Sequence, residues 1–214
     1  CTVCGALQPT DGIIYTLSYN SYYYVSGVSD DVKDNVTNLV IADVYNGLPV
    51  TAVGRRAFKN YIGLVSVTIP GGVTSINNSA FFGCKGLTSI NYTGTITDWI
   101  NITGLQNLMG YGKSNKTLTI DGNEVTGELI IPDGVTTVGN YAFYGCSGLT
   151  SVTIPDGVTF IGERAFYGCS GLTSVTLPDG VTTVGNYAIN SERDFRKTQQ
   201  KIPNKIENSL QMIA

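Results

Sequence analysis

Residues 149–171, LTSVTIPDGVTFIGERAFYGCSG, run straight into LTSVTLPDGVTTVGNYAI, which repeats almost the same pattern 23 residues further on. What recurs is a set of apolar residues at fixed offsets. One copy has Leu149, Val152, Ile154, Val158, Ile161, Ala165, Phe166 and Cys169; the next has Leu172, Val175, Leu177, Val181, Val184, Ala188 and Ile189. An upstream copy supplies Leu64, Val67, Ile69, Val73, Ile76, Ala80, Phe81 and Cys84, and a shortened one Leu129, Ile131, Val135, Val138, Ala142, Phe143 and Cys146. A unit this short cannot bury its own apolar side, but stacked copies bury a continuous core between them.

The Leu-x-x-Val-x-Ile spacing predicts a leucine-rich-repeat solenoid of the α/β class. The expected form is a right-handed superhelix of period 23, dominated by β-strands and carrying only short helical or 3-10 turns. Leu149, Val152 and Ile154 then point inward from a short strand. Pro70, Pro132, Pro155 and Pro178 follow that strand, where a missing N–H ends the ladder, and the Asp-Gly or Gly-Gly after each turns the chain. Val158–Ile161 add a second short strand, and GERAFYGC is too short for more than a turn or two of helix. Abundant Gly, Thr, Ser, Asn and Tyr with scarce Lys and Glu suit strands and turns.

Three regions depart from the repeat. Residues 1–38 contain IIYTLSY and YYYVSGV around Asn20-Ser21, a β-hairpin expected to cap the open end of the repeats. The solenoid is expected over 39–189, beginning with an irregular coil (Leu39, Ile41, Val50, Val53, Ala57, Phe58) and interrupted by an irregular insert over 87–128. Within that insert Trp99 falls at a core offset, and LTIDGNEVTGELII signals a hairpin at Asp-Gly-Asn. From 190 to 214 charge rises abruptly, and the spacing of Ile206, Leu210 and Ile213 is only partly helical. The segment reads as a capping helix, a tail or a foreign end created by truncation.

Several function classes are disfavoured. The net charge of −3 lacks the basic surface that nucleic acid requires, and no apolar run approaches a membrane span. The chain starts at Cys1 without an initiator Met, as a mature or excised product does. There is no histidine, which removes the usual base for a Ser or Cys nucleophile and leaves Cys1 and Cys4 as half a zinc site at most; a severed metal module, a local disulfide and free thiols all fit that pair. Cys84, Cys146 and Cys169 share one inward repeat offset and are expected as buried, unreactive thiols. Asp133, Asp156 and Asp179 recur at the turn and read as turn formers rather than a carboxylate pair or a calcium edge. The sequons at Asn35, Asn77, Asn91, Asn101 and Asn115 decide nothing about the source. No enzyme, cofactor or metal is expected.

What remains is surface. Ser66, Thr68, Ser89, Asn91, Thr150, Ser151, Thr153, Thr173, Ser174 and Thr176 are expected as an outward, nearly uncharged polar ladder on the curved sheet. Affinity needs anchors, and Phe82, Tyr144 and Tyr167 are placed to stack on the outer side, with Tyr111, between Gly110 and Gly112, expected to be exposed. The full pattern LTSVTIPDGVTxIGxxAFYGCSG resembles the BspA-like leucine-rich repeats of surface proteins from mouth and gut bacteria and some mucosal protists. The likeness covers roughly 39–189, and YNGLPVTAVGRRAF and YTGTITDWINI also look like units of that family. The resemblance implies a secreted or cell-surface protein engaged in adhesion to a host or bacterial surface protein. A carbohydrate-binding module or a passive spacer in a larger wall protein is the alternative, with a glycan as the other partner. The family offers no shared catalytic residues.

Overall fold

The computed structural model describes residues 9–32, 35–112 and 115–189. Cys1, Cys4 and the segment 190–214 lie outside the described residues. In chain order the elements are β1 (Ile13–Ser18), β2 (Tyr22–Val28), β3 (Asn38–Val40), β4 (Val44–Tyr45), β5 (Leu48–Val53), β6 (Ser66–Ile69), β7 (Ser75–Ile76) and β8 (Ser89–Tyr92). Then come α1 (Ile96–Ile100), α2 (Gln106–Met109), β9 (Thr117–Ile120), β10 (Asn123–Glu124), β11 (Gly127–Ile130), β12 (Thr137–Val138), β13 (Leu149–Thr153), β14 (Phe160–Ile161), β15 (Ser174–Thr176) and β16 (Thr183–Val184). Strands dominate, and both helices are short.

Equivalent strands of successive copies pair in parallel, so identical offsets fall side by side. In β3-β6-β8-β9 the row Leu39, Val67, Ile90 and Leu118 faces the core; in β2-β5-β7 the row is Val25, Val53 and Ile76. Downstream, β11-β13-β15 and β12-β14-β16 repeat the arrangement with Leu129, Val152, Val175 and with Val138, Ile161, Val184. Paired residues lie 23 apart in β13 and β15 but 28 apart between β3 and β6 and between β8 and β9. The longer coils are those that hold the extra β4 turn and the two helices.

The third side of each coil has no strand. There the backbone of one copy donates to the next, as from Phe143 N to Ala165 O (2.8 Å) and from Phe166 N to Ala188 O (2.7 Å), while the rings of Phe143 and Phe166 stack at 5.4 Å. The helical turn allowed for GERAFYGC does not form. Arg56, Ser79, Tyr141, Arg164 and Tyr187, each immediately before the alanine of its copy, all have φ between 52° and 61°, and a left-handed residue cannot continue a right-handed helix.

The N-terminal hairpin β1-β2 is present, with its turn one residue earlier than Asn20-Ser21: Tyr19 and Asn20 are both left-handed (φ 47° and 56°), as a type I′ turn requires. Rather than standing apart, β2 joins β5 and extends the sheet. The second hairpin, β9-β10, turns at Asp121 and Gly122 (φ 48° and 75°). Because β10 occupies the far edge of β9, the first sheet stops there and a separate sheet starts at β11. The apolar core nevertheless runs through both sets of sheets as one cluster.

Candidate functional site

The ten polar ladder residues fall into two groups because of that break. Ser66 pairs with Ser89 and Thr68 with Asn91 in the first sheet, where all four are half-buried; Ser151 pairs with Ser174 and Thr153 with Thr176 in the second. Several hydroxyls are already used within the protein. Ser66 Oγ donates to Asn38 Oδ1 (2.6 Å), Thr153 Oγ1 to Glu128 Oε1 (3.2 Å), and Thr173 Oγ1 to the carbonyl of Thr150 (3.2 Å). Exposed Ile130 and Glu128 begin the rows of the second sheet, so that face is less uniformly neutral and polar than the repeat alone suggests.

The aromatic anchors converge more tightly. Tyr144 stacks on Tyr167 (5.5 Å between ring centroids), because equivalent positions of adjacent copies are superimposed, and on Tyr141 of its own copy (5.3 Å). Beside them Arg164 lies between the rings of Tyr141 (5.6 Å) and Tyr187 (5.2 Å); its guanidinium donates to the Tyr141 hydroxyl and pairs with Glu163 at 2.8 Å. Gln106, the first residue of α2, and Tyr111, just past the end of that helix, close the other side of a cleft of about 370 Å³. Tyr111 was expected to be exposed, but it is half-buried: its ring meets Phe82 edge-on at 5.4 Å. Gly112, left-handed at φ 84°, lies so close to the Leu87 carbonyl that a Cβ would come within 2.6 Å, which draws the loop onto the core. Phe82 and Tyr167 remain exposed.

The insert builds one wall of this cleft through well-defined contacts. Thr95 caps α1 reciprocally with Asp98, which directs Trp99 inward. The Trp99 indole donates to Ala142 O (2.8 Å), joining the first set of sheets to the second, and it is fully buried as its offset predicts. Asn107 on α2 is buried with both ends of its amide satisfied, donating to Ile76 O (3.1 Å) and accepting from Ser79 N (3.1 Å). Lys116 is buried behind Tyr144. Its ammonium donates to Met109 O (2.8 Å) and lies 5.7 Å from the centre of the Tyr144 ring, and burial pulls its pKa down to about 8.

Sequence reasoning did not single out Tyr141, Arg164, Tyr187, Asn107 or Lys116. For the first three a signal exists, since they occupy one repeat offset at 23-residue spacing, just before Ala142, Ala165 and Ala188. For Asn107 and Lys116, inside the aperiodic insert, there is none. The three repeat cysteines are buried and unpaired, and burial raises the pKa of each thiol, to about 11 for Cys84 and about 12 for Cys169. Sγ of Cys84 and of Cys169 donates to the carbonyls of Phe58 and Phe143. Asp133, Asp156 and Asp179 sit exposed at their turns. Among the described residues no group of three or more His, Cys, Asp or Glu could hold a metal ion, and no helix is long and apolar enough to cross a membrane.

The family model for the BspA type leucine rich repeat region matches residues 34–102 and 123–211 in six copies, skipping α2 and β9. Among solved structures the chain is similar to the leucine rich repeat protein of T. pallidum (TM-score 0.51, 22% identity, 97% of this chain and 95% of that one), a likeness of fold. It is also similar to a leucine rich cell surface protein from Faecalibacterium prausnitzii A2-165 (TM-score 0.54, 26% identity, 90% of this chain), of which it spans 54%. No curated protein matches.

Proposed function

The chain belongs to the BspA-type leucine-rich repeat family, and from that premise we propose that it is a non-enzymatic binding protein, secreted or held at a bacterial cell surface, that adheres to a protein of a host or a neighbouring cell. In this reading residues 1–38 cap a right-handed solenoid of basic period 23 over 39–189, and the insert at 87–128 serves to build the binding cleft. The observation that carries the proposal is the cleft of Tyr111, Tyr141, Tyr144, Tyr167 and Arg164. Tyr and Arg are the residue types that dominate binding energy at protein interfaces, and here they are held rigid by mutual stacking, so little side-chain entropy is left to lose on association. The outward Ser and Thr rows supply a broad, weakly binding flank.

Surface plasmon resonance against a panel of host matrix proteins and neighbouring-cell surface proteins tests the proposal. Saturable binding is expected, weakened at least about tenfold by Tyr167→Ala, a loss of about 1.4 kcal/mol. Ser151→Lys with Thr153→Lys is expected to weaken it less. A partner whose affinity ignores Tyr167 but is lost with the paired lysines would move the site to the sheet. The absence of any protein partner, with binding of neutral glycans that depends on Tyr144 and Tyr167, would favour a carbohydrate-binding module instead.

A further inference from the structure

A second cleft, of about 470 Å³, lies on the outer face of β2-β5-β7. In a parallel ladder, residues in register share a face; since Val25, Val53 and Ile76 all point into the core, the neighbouring row Tyr24, Ala52 and Ser75 must point out. That row drops from an aromatic ring to a methyl and then a hydroxymethyl group. The result is a trough with Tyr22 and Tyr24 as its wall and Ala52, Gly54 and Ser75 as its floor. The wall is held in place from below. A Cβ on Gly54 would lie 2.6 Å from Val25 O and 2.9 Å from the Tyr24 ring, so the ring rests on the glycine backbone.

The rim is polar with a single charge. Asn77 stands where other copies have Gly139, Gly162 and Gly185; its amide nitrogen donates to Val53 O (3.1 Å), and among the described residues its amide oxygen accepts nothing from the protein. Arg55 and Asn78 are exposed beside it. Among the described residues no hydrogen bond or ion pair engages the Arg55 guanidinium, and no Asp or Glu lines the cleft.

We infer that this trough is a binding site for an acidic saccharide: a pyranose ring lies against Tyr22 and Tyr24, its hydroxyls meet the Asn and Ser groups, and its carboxylate pairs with Arg55. Sugar rings present apolar C–H faces to aromatic rings, and a carboxylate is the planar anion that a guanidinium grips with two parallel hydrogen bonds. An acidic peptide fits less well. β5 is flanked by β2 and β7, and the far side of β7 is taken by a backbone bridge from Ser75 to Thr103, so the strands of the floor offer no edge for backbone pairing, and the neutral hydrogen-bonding groups outnumber the one cation. The site is separate from the tyrosine–arginine cleft and stands or falls independently of it.

Isothermal titration of the purified chain with sialyllactose and with trigalacturonate, each beside its neutral counterpart (lactose and the methyl-esterified trimer), tests the inference. At least one acidic sugar is expected to bind saturably and at least about tenfold more tightly than its neutral counterpart. Arg55→Gln, a change at an exposed residue with no side-chain partner among the described residues, should abolish that preference without altering the melting temperature. Tyr24→Leu should weaken both members of a pair, whereas Tyr167→Ala should change neither. The inference is overturned by a lack of binding to both acidic sugars, by a preference that survives Arg55→Gln, by loss of binding in Tyr167→Ala, or by equal binding of a Glu-rich peptide.

Discussion

Lys116 is buried, cationic and far from its usual pKa. Its value falls from 10.5 in the unfolded chain to about 8, chiefly through loss of hydration. Between those two values the unfolded state binds more protons than the folded one, so this residue makes the protein more stable as pH rises from about 8 toward 10.5. The buried thiols act in the opposite direction. With folded pKa values of about 11 and 12 for Cys84 and Cys169, against 9 when unfolded, they erode stability above pH 9. Urea titrations of the protein and of Lys116→Met across this range separate the two effects: the stability difference should shift toward the wild type between pH 8 and 10.5, and a constant difference would mean that Lys116 keeps an ordinary pKa. The residue itself was invisible in the sequence, because a lysine in an aperiodic stretch carries no mark of burial. The cysteines were legible because their offset coincides with that of inward-facing neighbours.

At the scale of elements, α1 decides how the two sets of sheets meet. It is only five residues long and would not persist alone; its capping box and the burial of Trp99 and Ile100 hold it. Its indole bonds Ala142 O, and Gly139 comes so close that a Cβ would lie 2.4 Å from Ile100 O. Trp99→Phe removes the hydrogen bond, leaves a buried carbonyl unpaired and opens a void, together costing about 2–4 kcal/mol in chemical denaturation. Gly139→Ala should be comparably damaging, because the clash is with backbone that cannot rotate away. The burial of Trp99 followed from its offset alone. Its carbonyl partner, 43 residues away, did not, since nothing local specifies which later coil packs over the helix.

Across the whole molecule the sheets are interrupted but the apolar core is not. Unfolding should therefore be one event, and the thiols report on it: Cys84 lies in the first set of coils, Cys146 and Cys169 in the second. Pulsed thiol labelling read by mass spectrometry through a denaturant series should show all three becoming reactive together. Earlier exposure of Cys146 and Cys169 would mean that the two sets separate at the β10–β11 break. The sequence by itself determined the strand-dominated repeat, its inward and outward faces, both hairpins and the buried thiols. Each follows from periodicity and local turn chemistry, which a single coil already contains. Only the tertiary structure decided where the ladder breaks, that α2 folds back to enclose a cleft, and which tyrosines gather around Arg164. Those outcomes depend on contacts between coils and on an insert without period, where packing geometry rather than pattern selects the neighbour.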